Sequence, residues 1–339
     1  MKFKNEVFSL WIGSNLSIME QTCINSFLQK GTAFILYTYS NISNVPYGTI
    51  IRDANTVILQ EEYSKYDNPS FFSNLFRYTL LYELGGIWVD MDLVCIQPLN
   101  ELFATSDYIF SSELKNNEQH TNAGIIGCPP KTQLMLDCYK EVKRIVQSNT
   151  SIRHGLLGPK VLKKYVSLHE LDHYVHPSYV FCPYDFKEVH KIFSPSNITY
   201  KTLEEDILCI HLWNNVLTGK GIDKSMPLEN SLYKEFVTYH FPDKVFQYKH
   251  DKYEHNPDYT IDISTKKLYI VYSEIEAFNL KKQIPSSNII LLKKSFNAFI
   301  VSCNNVNTYV YAYIDKIILD KSINNADIKF NILKTLLKK

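Results

Sequence analysis

The sequence predicts an α/β protein built around a central, mostly parallel sheet. Short apolar runs rich in β-branched and aromatic residues, Phe8–Ile12, Ala33–Tyr39 and Ile87–Val89, alternate with stretches of helical periodicity, the signature of βαβ units. With 339 residues, 45% of them hydrophobic, the chain has ample material for a buried core. Two carboxylates, Asp90 and Asp92, follow directly on one of the apolar runs. In parallel sheets, ligands collect outside the carboxyl ends of the strands.

Phe8–Ile12 reads as a strand that ends at Gly13-Ser14, a turn where a nucleotide can lie against the backbone of Trp11, Ile12 and Gly13. Ser17–Leu28 has helical spacing, with Ile18, Cys23 and Phe27 near one face. Ala33–Tyr39 is a second strand, and Gly48–Asp53 with Thr56–Leu59 a short strand and loop. Asp53 would project at the same sheet edge as Gly13 and the Asp pair, or cap the turn before Thr56.

The most informative stretch is Ser73–Asp92. Leu75, Tyr78, Leu81 and Tyr82 share one helical face, and Gly85-Gly86 supplies the positive-φ stop that helices favour. Ile87-Trp88-Val89 then makes a short buried strand. Ending it in Asp-x-Asp places two acids where unpaired charge is costly. A divalent cation between them, bridging to substrate phosphates, is the natural reading; a solvated turn is the bland one. Arg77, one of four arginines, sits inside this otherwise apolar helix. It would pair with Glu83 or an Asp in the core, or orient a carboxylate or a phosphate-bearing ligand at the site.

Tyr108–Ser112 and Thr121–Gly127 read as further strands. Asn122 either contacts a sugar hydroxyl or caps a turn. Thr132–Gln147 is a helix with Leu134, Leu136, Cys138, Val142 and Ile145 inward, and Ile207–Leu212 a strand that delivers His211 and Trp213 to one side.

The run Phe71–Pro98, with its helix, double glycine, aromatic residue, Asp-x-Asp and trailing proline in order, resembles the glycosyltransferase family that carries a DXD sugar-binding region (family 32-like). Its bacterial members build capsular and lipopolysaccharide chains. Ser9–Gly13, Glu20-Gln21 through Ser26-Phe27, Tyr37-Thr38-Tyr39 and His211-Leu212-Trp213-Asn214 fit the same pattern, over roughly the first 240 residues. The resemblance implies a GT-A fold and transfer that retains anomeric configuration. It implies a nucleotide-sugar donor, UDP-linked by preference, and a saccharide or lipid-linked saccharide acceptor. Asp90, Asp92 and His211 would hold Mn²⁺ or Mg²⁺, imidazole with carboxylate favouring manganese. Asp90, Asp92 and Arg77 would serve catalysis. Trp11, Ile12, Gly13, Asp53, Asn74, Arg77, Trp88, Asp90, Asn122 and Trp213 would line the donor side, with His154 and Gly158 on the acceptor side. Gly219–Asp223 would close over the nucleotide as a lid. Asn74 departs from the family, which usually has Asp there, and that leaves the donor sugar open.

Composition bounds the alternatives. A formal net charge of +1 gives no sign of nucleic-acid binding. Seven cysteines without Cys-x-x-Cys pairing read as reduced thiols of a cytoplasmic protein, and no apolar run suggests a signal peptide or membrane span. Residues 246–339 carry 14 lysines, no arginine and 9 acidic residues, net +5, against a net −4 before them. The division expected is a transferase domain at 1–245 and an accessory region at 246–339, with strands near Leu268–Tyr272, Ile289–Leu292, Phe299–Ser302 and Tyr309–Ile314. Asp327–Lys339 reads as a basic amphipathic helix, either packed or resting peripherally on an anionic membrane face. Two other function classes compete. A haloacid dehalogenase-type phosphatase would use Asp90-Met91-Asp92-Leu93-Val94 as its nucleophile loop, but usually sets that loop on the first strand and needs a later Gly-Asp pair. A non-catalytic carbohydrate-binding protein would be expected to lack one of the two aspartates.

Overall fold

The computed structural model describes residues 2–249, except 64, 65, 67, 149–151 and 154, and six strands between residues 260 and 319. The chain divides into two compact units, Met1–Asp251 and Lys252–Lys339.

In the first unit the chain runs β1 (Glu6–Trp11), α1 (Ile18–Gln29), β2 (Ala33–Thr38), β3 (Ile42–Pro46), β4 (Ile50–Asp53), α2 (Gln60–Tyr63), α3 (Pro69–Leu84), β5 (Gly86–Val89) and β6 (Leu93–Cys95). It continues through α4 (Asn100–Thr105), β7 (Ile109–Lys115), β8 (Glu118–Cys128), α5 (Gln133–Ser148), α6 (Val161–Leu168), α7 (Ser178–Phe181) and α8 (His190–Phe193). β9 (Cys209–His211), α9 (Asn214–Gly219), α10 (Leu232–His240) and β10 (Val245–Tyr248) complete it. The main sheet has the order β4-β2-β1-β5-β8-β7. The pairs β4–β2, β2–β1 and β1–β5 are parallel, while β8 runs antiparallel to both β5 and β7. This is the α/β class with a mostly parallel sheet that the alternating pattern predicts. Two short antiparallel pairs, β6–β9 and β3–β10, lie beside it.

Local chemistry fixes the elements that carry the Asp pair. Asn68 caps α3 through Ser70 N, and Pro69 occupies its first turn. The helix buries more than the single stripe expected: Phe72, Leu75, Phe76, Tyr78, Leu80 and Leu81 are all inaccessible, because α3 is packed against α5 as well as against the sheet. Tyr82, predicted inward, is half-buried, with the Lys131 ammonium 4.6 Å over its ring.

Gly85 (φ +63°) and Gly86 (φ +94°) then turn the chain into β5. A Cβ on Gly85 would lie 2.4 Å from Pro130 N, and one on Gly86 2.5 Å from Phe8 Cε2. The double glycine therefore both stops the helix and lets β5 enter the sheet beside β1, where Trp88 pairs with Phe8. The strand covers the expected Ile87–Val89 and adds Gly86. It ends at Val89, and Asp90–Asp92 form the turn between β5 and β6.

In the second unit, strands 260–263, 266–271, 288–295, 298–303, 306–313 and 316–319 form one sheet in chain order, with a single parallel pairing between 266–271 and 288–295. The expected basic helix at 327–339 lies outside the described residues. Among the described residues, no helix is long and apolar enough to cross a membrane.

Two stability tests follow from this packing. Gly85→Ala forces a positive φ and a backbone clash together, and should cost about 3 kcal/mol in urea unfolding. His240, 3% exposed, is bonded at Nδ1 to Gln29 Oε1 (2.6 Å) and at Nε2 to the Tyr200 hydroxyl (3.2 Å). Burial, aided by Lys30, lowers its pKa to about 4. The unfolded chain takes up this proton near pH 6.5, so the fold keeps the full contribution above that pH and loses it as pH falls toward 4. The loss should reach about 3 kcal/mol at most, and unfolding of His240→Gln should show a shallower decline over the same window.

Candidate active site

Asp90, Asp92 and His211 converge at the carboxyl end of β5, each offering a ligand atom within 4.8 Å of the others. The β6–β9 pairing makes this possible across 119 residues of sequence, because Leu93 faces His211 in register. Leu212 N donates to Asp92 O (2.8 Å), so the turn and the end of β9 are stitched together. His211 Nε2 lies 3.1 Å from Asp92 Oδ1, and Asn214 N donates to Asp92 Oδ2 at 2.8 Å.

Asp90 is held from the opposite side. Arg77 reaches Asp90 Oδ1 at 2.9 Å, and the Trp88 indole N–H donates to the same oxygen at 2.9 Å. The guanidinium also donates to Ala123 O and to the Ser73 hydroxyl, and lies 4.9 Å over the Trp88 ring. Backbone strengthens the arrangement where Asp90 N donates to Gly124 O (2.8 Å).

These contacts set the charges. Burial raises the Asp90 pKa, opposed by Arg77. Burial also works to raise Asp92, but His211 overrides it and leaves the carboxyl below its usual range. In His211 burial acts to lower the pKa, yet Asp92 holds it well above the ordinary imidazole value. Two carboxylates and an imidazole in this proximity are a hard-oxygen and borderline-nitrogen donor set, which fits a divalent ion such as Mn²⁺.

The remaining expected residues distribute as follows. Trp88 is 2% exposed, so it meets the site through Asp90 and not as a wall open to a ligand. Arg77 likewise acts on Asp90; of the partners considered for it, Glu83 pairs instead with Lys131. Trp11 directs its indole N–H to Asn15 O (3.1 Å), and Gly13 O accepts from Ser40 Oγ (3.1 Å). Ile12 packs at the edge of the core. Asp53 caps the 3₁₀ turn Ala54–Thr56 through Asn55 N.

Asn74 is buried, donates to Ser70 O and abuts Gly158, where a Cβ would come within 2.5 Å of Asn74 Oδ1. Gly158 lies in the π-helical turn Leu156–Lys160, whose carbonyls accept from the buried Tyr78 hydroxyl. His154 falls outside the described residues. Asn122 Oδ1 accepts from Gly124 N (2.5 Å). Trp213 lies beyond the end of β9, at φ +57°, with its ring stacked on His211 at 4.3 Å and 21°. In the expected lid, Gly219 ends α9, Ile222 packs on the core, and Lys224 just beyond is ion-paired with buried Glu20 at 2.6 Å.

Two residues near the site carry no sequence motif. Glu113, half-buried on β7, is hydrogen-bonded by the Asn122 side chain, and burial raises its pKa. Cys182 follows α7 and is hydrogen-bonded to His211.

Comparison with known proteins finds a family match over part of the chain. Residues 8–109 match the family described as "glycosyltransferase sugar-binding region containing DXD motif", which supports a transferase. An uncharacterized protein of Arabidopsis thaliana is 22% identical over 166 residues, 44% of this chain. The chain matches about a quarter (25%) of that relative's length. Among solved structures, the PaToxG glycosyltransferase aligns at 12% identity and TM-score 0.36, over 70% of this chain and 87% of that one. The glycosyltransferase GlyE of Streptococcus pneumoniae TIGR4 aligns at 12% and 0.38, over 86% and 75%. The UDP-bound glycosyltransferase domain of the YGT toxin aligns at 8% and 0.29, over 64% and 77%. The phosphatase alternative gains no support: Asp90 follows the fifth strand, and its partners are Arg77 and Trp88.

Removing Arg77 leaves a largely buried carboxylate without its cation. Arg77→Met should destabilise the fold by about 3 kcal/mol, and adding Asp90→Asn should recover part of that loss. Denaturant unfolding of the two single variants and the double variant measures the coupling; strict additivity would show that the pair contributes nothing.

Proposed function

We propose that this protein is a metal-dependent, retaining glycosyltransferase. It moves a hexosyl or N-acetylhexosaminyl group from a nucleotide sugar, UDP-linked by preference, to a saccharide or lipid-linked saccharide acceptor. Within that reading, 1–245 is the transferase domain and 246–339 an accessory region. The observation that carries it is the convergence of Asp90, Asp92 and His211 at the carboxyl end of the sheet, inside the segment that matches the DXD family or, for His211, brought to it by β9.

Breaking the bond between an anomeric carbon and a nucleoside diphosphate leaves charge on the departing phosphate. A divalent cation held by Asp90, Asp92 and His211 would supply the neutralising charge there. The chain's own residues do the rest by orientation. Arg77 and Trp88 fix one oxygen of Asp90, leaving its other oxygen for a ligand. Asp92 is held at both oxygens, Oδ1 by His211 and Oδ2 by Asn214 N, so its orientation is set and a cation would share Oδ1 with the imidazole. Pre-set carboxylates do not have to reorganise as charge develops, which is where such sites gain their rate.

The turn at Trp11–Gly13 lies at the carboxyl end of β1, adjacent to β5 in the sheet, and we assign it the nucleotide. Asn74, Asn122 and Trp213 are assigned to the donor and Gly158 to the acceptor side. Asn74 and Gly158 touch, so donor and acceptor determinants share one wall.

A screen of nucleotide sugars with and without Mn²⁺, read as donor hydrolysis or transfer, tests the reading. Asp92→Asn should fold normally and lose about a thousandfold in turnover, the effect of about 4 kcal/mol of lost charge stabilisation. Turnover near the wild-type rate in that variant, or full activity in chelator, would sink the metal assignment.

A further inference from the structure

A histidine that ligates a cation through one ring nitrogen needs an acceptor for the proton on the other, and that partner fixes both tautomer and ring tilt. In His211 the nitrogen facing the Asp pair is Nε2, which leaves Nδ1 to be accounted for. The thiol of Cys182 is hydrogen-bonded to His211. It is buried, at 3% exposure, and its Sγ also contacts Tyr184 O at 3.8 Å. With its own proton directed to that carbonyl, the sulfur has lone pairs free to accept from the imidazole.

The same carbonyl takes the Trp213 indole N–H at 2.8 Å, and the Trp213 ring lies flat on His211 at 4.3 Å. Tyr184 O thus ties the sulfur and the stacked indole into one platform beneath the imidazole. Cys182 is not itself in the ligand set: the atoms within 4.8 Å of one another belong to Asp90, Asp92 and His211.

We propose that Cys182 is a positioning residue for His211, its Sγ accepting the Nδ1 proton so that the Nε2 lone pair is presented to the cation. The proposal rests on the metal reading above. A thiol in this place is unusual, because the outer partner of a metal-binding histidine is ordinarily a carboxylate, carbonyl or water.

Mn²⁺ binding to the full chain, followed by electron paramagnetic resonance, is the test, with Asp92→Asn and His211→Ala as controls. Cys182→Val, which fills the space without an acceptor, should weaken Mn²⁺ by ten- to a hundredfold, the usual effect of losing such a partner. Cys182→Ser, whose hydroxyl can still accept, should stay within about threefold of wild type on the same scale. If Cys182→Val does not fold, Cys182→Ala is titrated in its place. Wild-type affinity in the apolar variant while His211→Ala binds weakly would overturn the proposal and leave the metal site standing. A thiolate-to-metal charge-transfer band on loading wild type with Co²⁺ would also overturn it, by making Cys182 a ligand. Unchanged affinity in Asp92→Asn and His211→Ala would instead remove the metal reading itself, and the proposal with it.

Discussion

Everything at the carboxyl end of the sheet answers to one constraint: Asp90 and Asp92, two residues apart, must both stay ionised in a place where burial disfavours charge. The structure meets it by giving each carboxylate its own counterweight from a different direction. Arg77 comes from α3, about two turns before the helix's last residue, and His211 arrives on β9. Arg77 is ion-paired with Asp90 and His211 with Asp92, so each carboxylate is oriented by a different element. Arg77 and Trp88 both engage Asp90 at Oδ1. With His211 neutral, as a ligand to a cation would be, Arg77 alone faces the two acids, and an ion held by Asp90, Asp92 and His211 would supply the remaining positive charge.

That constraint explains features that otherwise look unrelated. Arg77 can reach Asp90 only if α3 ends abruptly and β5 begins at once beside β1, which is what the two positive-φ glycines and their contacts with Pro130 and Phe8 enforce. Trp88 is the hinge of this design. Its ring packs into the aromatic core against Phe76, lies under the Arg77 guanidinium, and turns its N–H to Asp90. On the other side, β6 and β9 form a sheet of only two short strands, too small to be stable alone. It is anchored by packing on α1 and α7, and this is how a residue 119 positions away is held to hydrogen-bond accuracy.

Much of this was legible in the sequence, for reasons that are local. Helix stops and β-branched runs act within a few positions, so the later turns of α3, the glycine turn and β5 follow from Ser73–Asp92 alone, while the helix start, capped by Asn68, lies before that stretch. A mostly parallel sheet follows from the alternation of strands and helices, but the order β4-β2-β1-β5 does not, since β2 and β4 are joined through β3 with no helix between them. Other features depend on partners that no local pattern encodes. Asp90–Asp92 became a turn and not a strand end because Gly124 O and Leu212 N, both distant, claim its backbone. Asn122 and Asp53 each allowed two readings. Both make the capping contacts of the plain one, and those contacts do not preclude a second role for the remaining atoms.

Glu113 and Cys182 were invisible for a different reason. Each sits in a stretch with no motif, and neither residue type in isolation implies anything about chemistry. Their meaning comes from what lies across the fold: Asn122 for Glu113, and His211 for Cys182. A half-buried acid and a buried thiol beside the Asp–His cluster are both tolerable only where the neighbouring dipoles suit them. Sequence reading finds the residues that bear the charge of a reaction, because charge inside an apolar pattern stands out. It misses the residues that aim those charges, because an aiming residue needs only one hydrogen bond and can come from any loop that passes within reach.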